Sequence, residues 1–235
     1  MPVCRAPAAH GPEMGQDGQV GTRTGRPPKI SRPDIIAAAR RIIDTDGVDR
    51  LTMRRLAHDL GSTPMAVYHH VRDKEELLLL VLDDIASGML RPELPADPRE
   101  RVIVTAQAMH DTLARVPWVV QVITADDLFS PTALWYNETV IDAAMACGLS
   151  IEDAVYAYRS IWYYTAGELI VRAAAARRRA EDDRPTFRER VFADLDAEEL
   201  PRLSSLAGRW EEISARDTYT AGLRALVDGL LPARR

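Results

Sequence analysis

The residues best equipped for chemistry in this chain fall in one run, LTMRRLAHDLGSTPMAVYHHVRDK, between Leu51 and Lys74. It carries Thr52, Arg54, Arg55, Thr63, Tyr68, His69, His70 and Lys74, and that lysine is one of only two in the molecule. Their spacing gives catalysis no support. All five histidines, at 10, 58, 69, 70 and 110, lack a Glu three residues earlier, so the Glu-x-x-His pattern of di-iron bundles is missing. His-Glu-x-x-His, P-loop and Gly-x-Ser-x-Gly motifs are missing too. No catalytic residue, metal or cofactor is expected, and an all-helical enzyme stands only as an alternative. Binding is the better use of the run. Gly61-Ser62-Thr63 separates two short apolar-faced segments by the connection length of a helix-turn-helix. A helix ~10 Å across fits the major groove of duplex DNA while the helix before it crosses the backbone. Pro64 pre-forms the start of the second segment and aims its N-terminal amide dipoles at phosphates or base edges.

Helices must position these groups, and helical patterning dominates from about Gly25 onward. Ser31-Arg-Pro-Asp offers a capping hydroxyl, an early proline and an acid at the third position. Ile35, Ala39, Ile42 and Ile43 then share a face, and Gly47 ends the helix. Thr52 caps a second helix with Leu56, Ala57 and Leu60 inward, stopped by Gly61. Thr63-Pro64 opens a third, expected over Pro64–Val71. Asp73, with Glu76 three residues on, starts a fourth that is apolar nearly all round, as expected of a helix touching two bodies. Three prolines between Leu90 and Pro98 mark a linker. Helices are then expected near Pro98–Arg115, Trp118–Leu128, Thr132–Cys147, Ile151–Ala180, Phe187–Leu195 and Arg216–Leu231. Ser150-x-x-Asp153 caps the long one, Ala180–Thr186 reads as an exposed loop, and Asp194–Gly208 has no clear period. Strand alternation is lacking, so an all-α fold is expected.

Composition bounds the rest. At 46% hydrophobic and 28% charged, the chain is an ordinary globular protein, with enough length for one large domain or two modest ones. Leu77–Leu82 is the longest apolar block, too short for a bilayer, and the first twenty residues lack a signal core. Two cysteines, Cys4 and Cys147, rule out a disulfide framework and fit a reducing cytoplasm, without a membrane partner. The net charge of −5 hides an asymmetry. Residues 1–75 hold 12 Lys+Arg and 9 Asp+Glu, net +3, and residues 76–235 hold 18 and 26, net −8. A basic front on an acidic body suggests two units with different partners.

GRPP at 25–28, LTMRRLA, GSTPMAVYHHV and the following DK resemble the N-terminal domain of the TetR family of transcriptional regulators. YTAGLRALVDGL and the all-helical pattern resemble that family's C-terminal regulatory domain. Residues 1–25 lack apolar periodicity and read as a disordered tail, and the resemblance implies a three-helix helix-turn-helix domain over 26–90 and a larger helical ligand-binding and dimerisation domain over 91–235. It implies a homodimer on double-stranded operator DNA, a repressor released by a small-molecule effector. By the same resemblance Arg54 reaches a guanine edge, as a guanidinium can bidentately. Thr52 matches phosphate-contacting cap residues, although capping alone explains it equally. Thr63, Pro64, Met65 and Ala66 open the recognition helix, where small and apolar groups suit a thymine methyl. His69 is an extra reader, Tyr68 and His70 match a phosphate-binding pair, and Lys74 resembles a phosphate clamp. Arg55 reads as a backbone or surface contact. Arg23, Arg26, Lys29 and Arg32 form a basic arm for the backbone or minor groove.

In the second domain aromatics accumulate, and rings with a few polar groups are how small effectors are held. The effector candidates are His110, Trp118, Trp135, Asn137, Trp162, Tyr163 and Glu168. Glu168, if it faces a cavity, would favour a cationic aromatic ligand. The long helix from Ile151 and the last helix, with Tyr219, Gly222, Leu223, Leu226, Val227 and Leu230, offer apolar faces for a four-helix dimer seam, the small Gly222 allowing close approach. A helix-turn-helix retained only for protein contacts is the remaining alternative.

Overall fold

The computed structural model describes residues 30–126, 128–181 and 184–233. The expected tail and the arm residues Arg23, Arg26 and Lys29 lie outside them. Among the described residues there are twelve α-helices and no strand.

The front of the chain forms α1 (Arg32–Asp46), a 3₁₀ turn at Val48–Arg50, α2 (Met53–Asp59), α3 (Pro64–Tyr68) and α4 (Lys74–Ser87). Each start carries the cap anticipated from sequence. Ser31 and Asp34 complete a capping box, and Thr52, Thr63 and Asp73 accept from the amides of Arg55, Ala66 and Glu76. Glu76 does not return its carboxylate to Asp73; it accepts from the amide and Nε of Arg72. Helix α3 is three residues shorter than the expected Pro64–Val71. The His70 amide turns back to Val67 O in a tighter i→i−3 bond, and Asp73 must sit extended (φ −156°, ψ −177°) to cap α4. One cap therefore limits the helix before it.

After the proline-rich linker come α5 (Pro98–Arg115), α6 (Trp118–Asp126), a 3₁₀ turn at Pro131–Ala133, α7 (Leu134–Ala146) and α8 (Ile151–Glu181). Short α9 (Phe187–Ala193), α10 (Pro201–Ser204) and α11 (Trp210–Ser214) precede α12 (Tyr219–Leu230). Helices α10 and α11 escape sequence reading because one or two turns give no measurable period. α12 starts three residues later than expected, where Asp217 accepts from the Tyr219 amide.

Two apolar clusters hold these parts. One runs without a break from α1–α4 into α5, α6, α7 and α8, joining Ile35, Leu56, Val67 and Val81 to Val120, Tyr136 and Leu169. The other packs Val102, Ala106, Val140, Ile161, Tyr219, Leu223 and Val227 between α5, α7, α8 and α12. This corrects the expected dimer seam. Tyr219, Leu223 and Val227 are buried inside the subunit, and Leu226 and Leu230 pack against the same cluster. Gly222 does permit a close approach, but by Tyr164 of its own chain: a Cβ there would lie 2.1 Å from the Tyr164 hydroxyl. Helical periodicity identifies a buried stripe without saying which body buries it. No helix among the described residues is long and apolar enough to cross a membrane.

Candidate nucleic-acid interface and ligand cavity

The connection between α2 and α3 is a complete Schellman turn. Gly61, at φ +61°, donates to His58 O, and Ser62 donates to Ala57 O, satisfying the last carbonyls of α2. Val67 and Val71 are buried beneath α3, which fixes the opposite face outward. That face is largely apolar: Pro64 is exposed, Met65 is 67% and Tyr68 47% exposed, and His69 projects beside them. Thr63 spends its hydroxyl on the Ala66 amide. Arg54 is exposed on α2, and no hydrogen bond or ion pair holds its guanidinium among the described residues. Arg55 differs, being paired with Asp46 at the end of α1. Thr52 is exposed as the cap of α2, Ala66 and His70 are half-buried, and Lys74 donates from Nζ to Val48 O at 3.1 Å. That bond steers the lysine while leaving two of its ammonium protons for other acceptors. Arg32 is not part of a free arm; its Nε donates to His70 O and its guanidinium approaches Glu76 at 3.7 Å.

A cavity of 220 Å³ lies where α4 meets α5–α8. Its walls are Leu82, Ile85, Ala86 and Met89 from the α4 side, faced by Met109, Leu113, Val119, Ile123, Phe129 and Trp162. Asn137, Ser130 and the phenols of Tyr136 and Tyr158 are the polar lining, and no charged side chain of the described residues belongs to it. Of the effector candidates, Asn137 and Trp162 are brought together here. The other five are not. Trp118 donates from Nε1 to Asp44 of α1, Trp135 packs at a tilt against Tyr136 under Arg91, and Tyr163 is exposed against Arg159. His110 and Glu168 belong to a network binding α5, α8 and α12. His110 Nε2 lies 2.9 Å from Glu168 Oε2, the imidazole stacks on Tyr219 at 3.7 Å, and Glu168 accepts from Arg172, which reaches on to Asp217. Burial raises the Tyr219 phenol well above its ordinary range, so it stays protonated beside Thr165, 2.7 Å away.

Residues 35–81 match the family described as bacterial regulatory proteins, tetR family, and residues 91–233 match the tetracyclin repressor-like C-terminal domain. The chain belongs to the TetR family. The HTH-type transcriptional repressor DrrR1 of Streptomyces coeruleorubidus is a TetR-like relative 30% identical over 223 residues, covering 89% of this chain and 81% of that protein. Among solved structures, ActR of Streptomyces coelicolor in complex with actinorhodin is 26% identical, with a TM-score of 0.66 over 86% of this chain and 95% of that one. BioQ with its natural double-stranded DNA operator is 27% identical, with a TM-score of 0.57 over 86% of this chain and 98% of that one. The protein is therefore a helix-turn-helix transcriptional regulator of TetR type.

Three ties between the TetR-type head and the body escaped sequence reading. Trp118 to Asp44 is one, and Tyr136 Oη to Leu90 O at 3.3 Å is another. The third is Asp83 of α4, whose Oδ1 accepts 2.6 Å bonds from both Ser130 Oγ and Thr132 Oγ1. These hydroxyls hold the Asp83 carboxyl below its ordinary range, Ser130 being the larger cause. Ser130-Pro131 was readable as a cap followed by proline, and Ser130 does accept from the Thr132 amide. Its pairing with a residue 47 positions away carries no local signal.

Proposed function

We propose that this TetR-family chain is a homodimeric repressor of a palindromic operator, released when a small molecule fills the cavity beneath α4. The observation that carries the reading is the shared helix. α4 begins six residues after α3 ends and walls the cavity with Leu82, Ile85 and Ala86. An occupant that fits only after α4 has shifted must re-aim the recognition helix. By linkage it binds the DNA-free form better, and DNA weakens its binding by the same factor. The binding of actinorhodin by ActR, of operator DNA by BioQ and the repressor name of DrrR1 support this reading.

In the proposed complex, two copies of α3 enter successive major grooves ~34–36 Å apart. Arg54 and His69 read base edges, and Met65, with Pro64 and Ala66, meets thymine methyls. Tyr68, His70, Lys74, Thr52 and Thr63 face phosphates. The DNA-binding unit is residues 26–90, the ligand-binding and dimerisation unit is 91–235, and the working compartment is the cytoplasm. Dimerisation is assigned to the outer face of α8, where Tyr156, Tyr163, Ile170 and Val171 are exposed at helical spacing, beside the small outward residues Ala221 and Ala225 of α12. Selection of bound duplexes from a random pool tests the reading. Enrichment of an inverted repeat with half-sites one turn apart supports it; recovery of unrelated sequences, or of single half-sites by a monomer in sedimentation, refutes it.

A further inference from the structure

We propose that the cavity takes a neutral, flat bicyclic aromatic ketone, and that its carbonyl acts on the head by drawing the Ser130 hydroxyl away from Asp83. This rests on the effector reading above and adds the ligand's chemical class and the switching bond. The walls speak for the class. Aliphatic side chains of α4, α5 and α6 face the rings of Phe129, Tyr136, Tyr158 and Trp162, and the described lining carries no charge. An ionised ligand would enter without a partner, at a steep desolvation cost. The volume of 220 Å³ falls below the ~300–1,000 Å³ usual for drug-sized ligands, which favours two fused rings over four.

The switching bond follows from Ser130's double position. It lines the cavity, it is only 5% exposed, and its hydroxyl donates to Asp83 on α4. A hydroxyl has one proton to give. A ligand carbonyl that accepts it leaves Asp83 held by Thr132 alone, loosening α4 just where the ligand presses on Leu82 and Ile85. Asn137, whose side chain makes no hydrogen bond among the described residues, supplies the second polar contact.

The test titrates the 235-residue chain by tryptophan fluorescence with 2-acetonaphthone, 2-ethylnaphthalene, 2-naphthoate and 2-naphthylmethylammonium, while hydrogen exchange follows the α4 amides. Wild-type protein is expected to bind the ketone about fivefold tighter than the hydrocarbon, the worth of the one hydrogen bond gained at Asn137, since the Ser130 proton only changes acceptors, and both charged analogues at least about tenfold weaker. Ketone, but not hydrocarbon, should speed exchange in α4. Ser130→Ala should speed α4 exchange without any ligand and abolish the further increase that the ketone brings; Ser130→Thr, which keeps a hydroxyl, should restore both the slow exchange and the ketone's effect. A charged analogue binding as tightly as the ketone overturns the ligand class. Equal binding of ketone and hydrocarbon overturns the carbonyl's contact with Asn137, and an undiminished α4 response to the ketone in Ser130→Ala overturns the switching bond. Failure of all four to bind overturns the cavity assignment, whereas the operator selection fails or succeeds independently of these titrations.

Discussion

At the scale of single residues, the outward side chains of the recognition unit differ in what they can discriminate. Arg54 is exposed, with no hydrogen bond or ion pair among the described residues, and carries a guanidinium able to make a bidentate guanine contact. Arg54→Ala is expected to weaken operator binding by about 1–3 kcal/mol and to relax preference at one base pair per half-site, measured by competition with single-base operator variants. A uniform loss across variants would make Arg54 a backbone contact. Gly222 offers a test inside the body. In Gly222→Ala the new methyl meets the Tyr164 hydroxyl at 2.1 Å and the ring carbon behind it at 2.9 Å. Tyr164 is stacked on Tyr219 and bonded to its carbonyl, so it yields at a cost. The variant is expected to lose about 1–3 kcal/mol in thermal or chemical unfolding, with Tyr164→Phe in the same chain relieving part of the loss. Equal stability of Gly222→Ala and wild type would refute the close approach.

At the scale of elements, the start of each helix in the head was legible because caps are local chemistry. Ser31, Thr52, Thr63 and Asp73 announce themselves within four residues, and the structure uses all four. Where α3 stops was not legible, because the limit comes from the cap of the next helix. The partners of α12 were not legible either, since a buried stripe looks the same whichever body covers it. The proposed sites divide likewise: the run proposed to face DNA is contiguous, whereas the cavity is assembled from five stretches between Leu82 and Trp162. Two expectations belong here. Gly61→Ala places a Cβ on a residue at φ +61°, and about 1–2 kcal/mol of lost stability is expected in thermal unfolding, with operator affinity falling further because the turn orients α3. The acid limb of stability is the second. Asp34, Glu76, Asp83, Glu189 and Asp217 are all held below their ordinary values, chiefly by hydrogen bonds from Ser31, Arg72, Ser130, Thr186 and Tyr219 respectively. A carboxyl lowered by folding stabilises the native state above its unfolded pKa, and that contribution is lost as pH falls through the folded value. The melting temperature is therefore expected to hold between pH 7 and 5 and to drop below about pH 4, less steeply in Asp83→Asn. An equally steep drop in that variant would remove Asp83 from the set.

At the scale of the whole molecule, a chain of net charge −5 must approach a polyanion through its basic front. Operator affinity should then fall steeply with salt, and Lys74→Ala should lower the slope of log K against log salt by about one unit per subunit. Because Lys74 also holds Val48 O, a lower melting temperature is expected as well; only the altered slope reports the phosphate. The unbroken apolar cluster from α1 to α8 bears on protein engineering. Leu78, Leu82 and Ile85 of α4 are buried in it together with Met109, Leu113 and Val119. Cut free at the proline-rich connection, the front ninety residues would carry an uncovered oily flank, so a chimaeric regulator made by swapping DNA-reading halves succeeds only if the recipient half presents a matching imprint for that flank.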